Sequence, residues 1–429
     1  MVSLKGWKFK VLFLLSIILL SACNNYEEVT IEEKVEVSFW YGLEGNLGDY
    51  VEELIYDFNN SQDSIVVKGH RQGNYSDTLQ ALKIAIATNS EPSVALLEQR
   101  GVVSLIELEG LQALNHLTSG SDAIKIESVP DQFLDVFIQN DNIYSFPMYA
   151  TVWVTYLRDD FVDKYLVNEP VESYQDIMKI LIEEQSKGNA MFFGLINEET
   201  TLINAVMSNG GKFIDENLEN VLIDDPKWIE VWEQFRIWIH EDKVIKYYEK
   251  NLGWDDYYEV LNDVKSGRAI GNISSVSDKD IYDKNEISTK LHLSWQKHDS
   301  SPVTYAIGLV IPKSIDDDER QAAGEWIKYL MSSEVNAKWI AKSGYLPGNE
   351  AAYDTETYQR AVTEDERLNI FKEQLSHTSK PYYDPTGGKI NEAIVEAATR
   401  LINQNISAEN VLKEAKEKAQ KALDEANKK

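Results

Sequence analysis

Hydrophobic and polar residues alternate at the start of the chain's main folded segment, and helical spacing then takes over. The stretch VEVSFWYG at 35–42 alternates valines with polar residues and stops at a glycine, which predicts a β-strand. Apolar residues three or four apart predict helices over 47–58 and 78–88, and the short runs at 65–69 and 93–97 predict two further strands. Alternating strands and helices indicate an α/β fold with a largely parallel sheet.

Similar patterns continue along the rest of the chain. Apolar clusters at helical spacing recur at 176–185, 228–239 and 257–264. GRAIGNISS at 267–275 predicts a turn, a strand and a loop, and TYAIGLVIPKS at 304–314 predicts another strand. The acidic run DDDER that follows predicts a helix start, because acidic side chains favour the N-terminal end of a helix dipole. The Ala-, Lys- and Glu-rich segment 408–429 predicts a charged surface helix.

Candidate ligand-binding side chains follow two of the predicted strands. Open α/β sheets bind ligands beyond the carboxyl ends of their strands. Trp40 and Tyr41 end the first strand, and Glu98 follows the run SVALL directly. An ionised carboxylate only accepts hydrogen bonds, so it pairs well with sugar hydroxyls and poorly with phosphate. The alternative for Glu98 is a surface carboxylate or a helix cap.

The first 22 residues have the layout of a signal peptide, with three lysines before the apolar run 11–20. That run is too short to cross a bilayer, which takes roughly 20 apolar residues. The four residues that end at Cys23, LSAC, resemble a bacterial lipobox, whose cysteine receives diacylglycerol. We therefore expect Cys23 to be a lipid anchor and 23–34 to be a polar tether. A buried or stray thiol after an ordinary signal peptide is the alternative.

Size and charge narrow the classes of function. Removal of the 22-residue signal leaves 407 of the 429 residues, too many for one hydrophobic core and suited to two lobes. The formal charge of −29 becomes −32 without the three signal lysines, which opposes nucleic acid and anionic lipid as partners. Ten Trp and 22 Tyr suit a core, an interface or a sugar-stacking cleft. The six histidines have no metal-ligand spacing, so we expect no metal and no cofactor.

Five stretches in a fixed order carry a resemblance to a known family: VEVSFWYG, GNYSDTLQALKIAIATNSEPSVALLEQ, FPMYATVWVTYLRDDF, VTYAIGLVIPKS and SGYLPGNEAAYD. Together they resemble the extracellular solute-binding proteins of ABC importers, in the large group that contains maltose-binding and glycerol-3-phosphate-binding proteins. The resemblance implies an α/β fold with two lobes, like that of periplasmic binding proteins, with a hinge and an interlobe cleft that closes around a ligand.

The same resemblance implies a division of the chain and a place in the cell. The chain would leave the first lobe near Pro147, return near Ser301 and cross back near Gly348. Lobe 1 would comprise 35–147 and 302–348, and lobe 2 would comprise 148–301 and 349–429. We expect a monomer, held at the outer face of the membrane of a Gram-positive cell by acylated Cys23, that delivers its ligand to the permease subunits of the importer.

The resemblance also implies which residues hold the ligand. Tyr75 matches the tyrosine of a glycine-tyrosine loop, and Glu98 matches an acid that accepts ligand hydroxyls. Tyr345 matches an aromatic residue placed against the ligand, in a turn fixed by a glycine and a proline. The full expected set is Trp40, Tyr41, Tyr75, Glu98, Thr151, Trp153, Ser274, Ser275, Tyr305 and Tyr345. The alternative for Trp153 is burial in the second lobe, and the alternative for the serine pair is an ordinary turn.

The expected ligand is a neutral carbohydrate, an oligosaccharide or a similar polyol. Glycerol-phosphate binders carry an arginine in the late segment, whereas YYDPTGGKINEA at 382–393 has only Lys389, which lacks arginine's bidentate fork. Glycerol 3-phosphate or a glycerophosphodiester is the alternative ligand. A secreted glycoside-processing enzyme with two carboxylates is an alternative of another class, as is a passive surface adhesin. The sequence contains no nucleophile elbow, metal-ligand cluster or phosphate-binding loop that would support an enzyme, so we expect no enzymatic activity.

Overall fold

A computed structural model describes residues 34–166, 173–196, 198–248, 255–295, 304–378 and 384–428. The predicted signal peptide, Cys23 and the expected return near Ser301 lie outside these ranges. Among the described helices, none is long and apolar enough to cross a membrane.

The strands of the described chain are β1 (Val35–Tyr41), β2 (Ile65–Arg71), β3 (Val94–Glu98), β4 (Ile138–Gln139), β5 (Asn142–Ile143), β6 (Phe146–Thr151), β7 (Trp153–Arg158), β8 (Phe192–Gly194), β9 (Ile245–Lys246), β10 (Ala269–Ser275), β11 (Ile287–Lys290), β12 (Tyr305–Val310) and β13 (Leu346–Pro347).

The α-helices are α1 (Gly45–Ser61), α2 (Tyr75–Thr88), α3 (Gln99–Glu107), α4 (Asp131–Leu134), α5 (Asp159–Tyr165), α6 (Tyr174–Ser186), α7 (Glu198–Ser208), α8 (Pro226–His240), α9 (Asp255–Lys265), α10 (Asp317–Leu330), α11 (Ser333–Ser343), α12 (Glu356–Glu364), α13 (Arg367–Leu375), α14 (Lys389–Gln404) and α15 (Ala408–Ala426). Short 3-10 helices cover Asn115–Thr118, Ile126–Ser128, Asp135–Phe137, Val276–Asp280 and Glu350–Asp354.

Two separate sheets organise these elements. The first has the order β13-β6-β12-β3-β1-β2, and the second has the order β11-β7-β10-β8-β9. In the first sheet β1 runs parallel to β2 and β3, whereas β12 runs antiparallel to both of its neighbours and β13 antiparallel to β6. The expectation of a largely parallel sheet is therefore correct for β1–β3 and wrong for the other strands of the first sheet, while in the second sheet β8 runs parallel to β9 and β10 and β7 runs antiparallel to both of its neighbours. The antiparallel strands come from distant parts of the chain, whose order the local pattern does not reveal.

Helix boundaries follow from capping residues beside apolar stripes. Asn74 caps α2 by accepting from the backbone N–H of Asp77, and Asp316 caps α10 in the same way. Asp225 caps α8, whose first residue is Pro226, a residue that needs no N–H bond there. These helices bury their apolar faces against the sheets, and the burial of each large side chain contributes about 1.5 to 3 kcal/mol.

The C-terminal helices form part of a core rather than only a surface. Val411, Leu412 and Leu423 of α15 are fully buried, in one cluster with residues of α8, α14 and the second sheet. The prediction of a charged surface helix over 408–429 thus describes only the outer face of α15.

The chain passes directly from the first sheet to the second. β6 ends at Thr151 in the first sheet and β7 begins at Trp153 in the second, so Val152 is the crossing residue. Later, β13 pairs with β6 and the backbone N–H of Gly348 bonds to the carbonyl of Met148. A Cβ at Gly348 would lie 1.6 Å from the Pro147 carbonyl oxygen, so the close approach of these two segments requires glycine.

Candidate functional site

A cavity of about 740 Å³ lies between the two sheets. Its lining on the side of the first sheet includes Gly42 after β1, Gly73 after β2 and Glu98 at the end of β3. The carboxyl ends of the three parallel strands therefore open into it, as expected for an open α/β sheet. The side of the second sheet contributes the end of β10, the 3-10 helix Val276–Asp280 and the first turns of α7 and α9.

A group of four aromatic rings, which we call the aromatic stack, supports one wall. Tyr345 stacks on Tyr149 with ring centroids 4.6 Å apart, and Trp339 lies 5.0 Å from Tyr149 on a tilted plane. The hydroxyls of Tyr75 and Tyr149 are 2.6 Å apart and share a hydrogen bond. Tyr75 and Tyr345 line the cavity, whereas Tyr149 and Trp339 are buried behind them. Burial raises the pKa of Tyr345 to about 12, so its hydroxyl stays neutral.

Glu98 stands at the junction of β3 and α3. Its side chain is accessible from the cavity but surrounded by protein, and this desolvation raises the pKa of the carboxyl. Arg100, in the first turn of α3, lowers that pKa and Glu199 raises it, so Arg100 compensates for the desolvation only in part. The Glu98 carboxylate makes no side-chain hydrogen bond that would cap α3.

Arg100 and Tyr305 lie together in the lining of the cavity. Its guanidinium carbon lies 5.4 Å from the ring centroid of Tyr305, and one of its nitrogens donates to the Tyr305 hydroxyl at 3.4 Å. The cation–π contact holds Arg100 beside the first residue of β12.

Hydroxyl groups join the two sides of the cavity at the crossing residue. The Oγ1 of Thr151 and the Oγ of Ser275 are 2.8 Å apart. Ser275 Oγ also accepts from the backbone N–H of Ser277. Beside them lies Trp153, which is nine-tenths buried and belongs to the hydrophobic cluster that also contains residues of α8, α14 and α15. The Trp153 indole N–H has no hydrogen-bond partner among the described residues.

A buried acidic network forms the opposite wall. Asp278 accepts hydrogen bonds from the hydroxyls of Ser274 and Tyr257, and those two hydroxyls are 3.0 Å apart. Burial raises the pKa of Asp278 to about 6, and the two hydrogen bonds lower it by a smaller amount. We call Asp278, Ser274 and Tyr257 the acidic network.

The structure brings most of the expected residues together and separates three of them. Tyr75, Glu98, Thr151, Trp153, Ser275, Tyr305 and Tyr345 line the cavity, whereas Trp40, Tyr41 and Ser274 do not.

Strand geometry explains the separation. Successive side chains of β1 point to opposite faces, so neither of its last two residues faces along the strand toward the cavity. Tyr41 is fully buried beside Phe39 and donates a hydrogen bond to Glu52. Trp40 points to the opposite face of the sheet and packs against a separate hydrophobic cluster. Ser274 lies within β10, not in the predicted loop, and reaches the cavity only through Asp278.

Several lining residues escaped sequence reasoning: Tyr50, Arg100, Glu199, Tyr257, Tyr258, Asp278 and Asp280. Asp278 follows the end of β10 by three residues, so the rule that pointed to Glu98 would also have pointed to it. Tyr257 and Tyr258 look like the apolar face of a helix in sequence, and only the packing of α9 reveals their other role.

Charge in the lining is predominantly negative. Five carboxylates face two cations, and the cation Lys342 already pairs with Glu53 outside the cavity. Among the described residues, no group of three or more histidines, cysteines or acids could hold a metal ion.

Comparison with known proteins gives consistent results. The sequence profile of the family described as bacterial extracellular solute-binding protein matches residues 53–364. A relative from Yersinia enterocolitica, the sn-glycerol-3-phosphate-binding periplasmic protein UgpB, is 21% identical over 387 residues, which cover 79% of this chain and 80% of the relative.

Solved structures resemble the fold. UgpB from Mycobacterium tuberculosis in complex with glycerophosphocholine superimposes with a TM-score of 0.80 at 18% identity, covering 92% of this chain and 99% of the other. The GacH receptor of Streptomyces glaucescens, solved unliganded and with acarbose, gives a TM-score of 0.78 at 16% identity, covering 92% and 99%. The resemblance inferred from the ordered stretches and the two-lobed α/β architecture are thereby confirmed. The chain belongs to the bacterial extracellular solute-binding protein family.

Proposed function

We propose that this protein captures a carbohydrate, an oligosaccharide or a similar polyol, in the cavity between its sheets and delivers it to the permease of an ABC importer. The observation that carries the proposal is the lining itself, in which seven aromatic side chains, six Tyr and one Trp, alternate with hydroxyl and carboxylate groups. Sugar rings offer apolar faces to aromatic rings and hydroxyl edges to acceptors, so this mixture of groups suits them.

The volume and the polar groups argue for a ligand larger than a few atoms. A cavity of about 740 Å³ falls in the range of sites that enclose drug-sized molecules, roughly 300 to 1,000 Å³. Glu98 and Asp278 offer acceptors from opposite sides, and Thr151, Ser275 and Ser277 offer hydroxyls between them.

Capture would involve closure of the two lobes around the ligand. The proposed lobes are 35–147 with 302–348 and 148–301 with 349–429. Because β6 stays in the first sheet as far as Thr151, the passage at Val152 supports a hinge a few residues after the proposed boundary at 147. Because closure brings the lobes together, small-angle scattering should show a smaller radius of gyration with a bound ligand. An unchanged radius at saturation would count against the hinge.

The proposal includes a location at the cell membrane. A lipid on Cys23 would hold a monomer at the outer face of the membrane, close to its permease, and the protein would act by binding rather than by catalysis. Metabolic labelling with a fatty acid should mark the wild-type chain and leave Cys23→Ser unlabelled; equal labelling of both would contradict the anchor.

Glycerol 3-phosphate or a glycerophosphodiester is a second candidate ligand. It is favoured by the names of the Yersinia and Mycobacterium relatives and by Arg100, a cation that lines the cavity. Five acidic side chains in the lining oppose a free phosphate dianion.

A thermal-shift screen tests both candidates. A ligand that binds only the folded state raises the melting temperature by linkage, and the increase grows with ligand concentration. We expect a neutral or aminated oligosaccharide to give a larger shift than glycerol 3-phosphate at equal concentration. A response to glycerol 3-phosphate or glycerophosphodiesters alone would replace the first candidate with the second. Chemical conversion of a sugar that binds would support an enzymatic function. If no compound in the screen raised the melting temperature, an adhesin would be favoured.

A further inference from the structure

Two carboxylates of the cavity have no cationic partner in contact. The Glu98 carboxylate makes no hydrogen bond and no ion pair with any other residue that the structure describes, and Arg100 acts on it only at longer range. Asp278 accepts from two neutral donors, the hydroxyls of Ser274 and Tyr257. Both carboxyls have raised pKa values because burial is stronger than the compensating interactions.

The elements that carry these two carboxylates meet at Tyr345. Glu98 of β3 and Tyr149 of β6 both pair with Ile307 of β12, and Tyr345 stacks on Tyr149 with ring centroids 4.6 Å apart. On the other side, a Cβ at Gly344 would lie 2.6 Å from the Val276 carbonyl oxygen, so the chain at Tyr345 contacts the 3-10 helix that carries Asp278. Tyr345 is half-buried and lines the cavity together with both acids. The open part of the Tyr345 ring therefore faces a region bounded by acids from both walls.

The two cations of the lining do not offset this region fully. Lys342 pairs with Glu53 and lies 4.9 Å from the ring centroid of Tyr50. Arg100 lies over Tyr305, and Glu199 raises the pKa of Glu98 in opposition to it. Asp280 pairs with Lys279, while Glu98 and Asp278 form no ion pair with a cation of the described chain.

A neutral ligand can offer hydroxyl donors to these carboxylates, but it supplies no opposite charge to compensate for their desolvation. Desolvation of an ionised carboxylate is costly unless an opposite charge or several donors take the place of water. An ammonium group supplies that charge and is also attracted to the face of an aromatic ring. The acids are too dispersed to hold a metal ion within the described residues, which favours an organic cation.

We propose that the captured carbohydrate carries an ammonium group, as in an oligosaccharide of amino sugars, and that this group binds over Tyr345 between Glu98 and Asp278. This inference rests on the proposed function and specifies its class of substrate. The same ammonium chemistry occurs in choline-type glycerophosphodiesters, so the experiment includes both sources.

Two matched pairs of ligands, measured by isothermal titration calorimetry on the whole chain, provide the test. Glucosamine oligomers are compared with N-acetylated oligomers of the same length, and glycerophosphocholine is compared with glycerol 3-phosphate. We expect the cationic member of the first pair to bind at least about tenfold more tightly, the effect of a cation–π contact combined with charge pairing. A cationic preference in the second pair alone would retain the ammonium site and replace the sugar.

The direction of proton transfer gives an independent readout. A cation beside a carboxylate lowers its pKa, so binding at about pH 6, near the pKa of Asp278, releases protons. A neutral ligand that only excludes water raises the pKa and takes protons up. Titrations in two buffers with different ionisation enthalpies distinguish these signs when the glucosamine oligomer carries N-trimethylated amines, which cannot themselves take up a proton. Proton uptake on binding of that trimethylated oligomer would overturn the inference.

Variants connect the preference to the two acids. Glu98→Gln and Asp278→Asn should each reduce the preference for the cationic oligomer by about tenfold, while Asp163→Asn, which removes an exposed carboxylate on α5, should leave it unchanged. Equal affinity for both oligomers in the wild type would refute the ammonium site and leave carbohydrate capture intact. If neither pair of ligands and no neutral sugar bound measurably, the proposed function would be refuted as well.

Discussion

The two walls of the cavity hold their ligand-facing groups in different ways. On the side of the first sheet, the aromatic stack supports Tyr75 and Tyr345 with buried rings. On the side of the second sheet, the acidic network supports Asp278 with two hydroxyls that approach it closely. Ring stacking depends little on pH, whereas a buried carboxylate changes charge near neutral pH. The side of the first sheet is thus expected to provide stacking surfaces together with Glu98, and the side of the second sheet to provide the carboxyl whose charge changes near neutral pH.

The largest expected effect is on the aromatic stack. Tyr149→Ala removes a fully buried ring that contacts Tyr345 and Trp339, and we expect a loss of about 3 to 5 kcal/mol in the free energy of unfolding. Tyr149→Phe is the matched control, because it removes only the hydroxyl shared with Tyr75, and should cost about 1 kcal/mol. Denaturant unfolding measures both. A loss below 1 kcal/mol for Tyr149→Ala would show that the stack does not support this wall.

Sequence patterns predicted this wall better than the other. β1, β2, β3 and α1 begin and end within a few residues of the predicted bounds, because each has a clear apolar period and a polar or glycine terminus. Glu98, Tyr75 and Tyr345 follow such elements and do line the cavity.

The acidic network was largely missed because its role depends on tertiary packing. Tyr257 is separated from Asp278 by 21 residues and by the whole of β10, and no local pattern indicates that they meet. The position of β12 between β3 and β6 was hidden for the same reason, since strand pairing over long sequence separations leaves no periodic signal. Side-chain direction at the end of β1 also needed the structure, as Trp40 and Tyr41 illustrate.

The second largest expected effect concerns ligand binding by side chains that reach the cavity from the side of the first sheet. Tyr345→Ala and Glu98→Ala should each weaken binding of the captured sugar by about tenfold or more, since each removes a stacking face or a buried acceptor. Circular dichroism should show a folded protein in both cases. Arg360→Ala, an exposed residue on α12, serves as a control. Unchanged affinity in both cavity variants would discredit this site.

A third, smaller effect distinguishes the charged wall by its pH dependence. The pKa of Asp278 is about 6 in the folded protein and 3.8 ordinarily, so the group adds stability fully below pH 3.8 and loses it as pH rises through 6. Between about pH 8 and about pH 5, wild type should therefore gain about 1 kcal/mol relative to Asp278→Asn.

Thermal or denaturant unfolding at the two pH values measures this difference. Glu414→Gln is a suitable comparison, because the exposed pair of Glu414 with Arg400 lowers the pKa of that carboxyl and so acts in the opposite direction. Parallel pH profiles for wild type and Asp278→Asn would mean that Asp278 is no more desolvated than a surface acid.

The smallest expected effect tests the contact that joins the walls at the crossing residue. Thr151→Val removes the hydroxyl 2.8 Å from Ser275 Oγ and keeps the side-chain shape, so the free energy of unfolding should fall by about 0.5 to 1 kcal/mol. The loss is limited because Ser275 still accepts from the backbone N–H of Ser277. Thr151→Ser retains the hydroxyl and should resemble wild type in denaturant unfolding. If Thr151→Ser lost stability and Thr151→Val did not, the methyl group of Thr151 rather than its hydrogen bond to Ser275 would connect the two sides of the cavity.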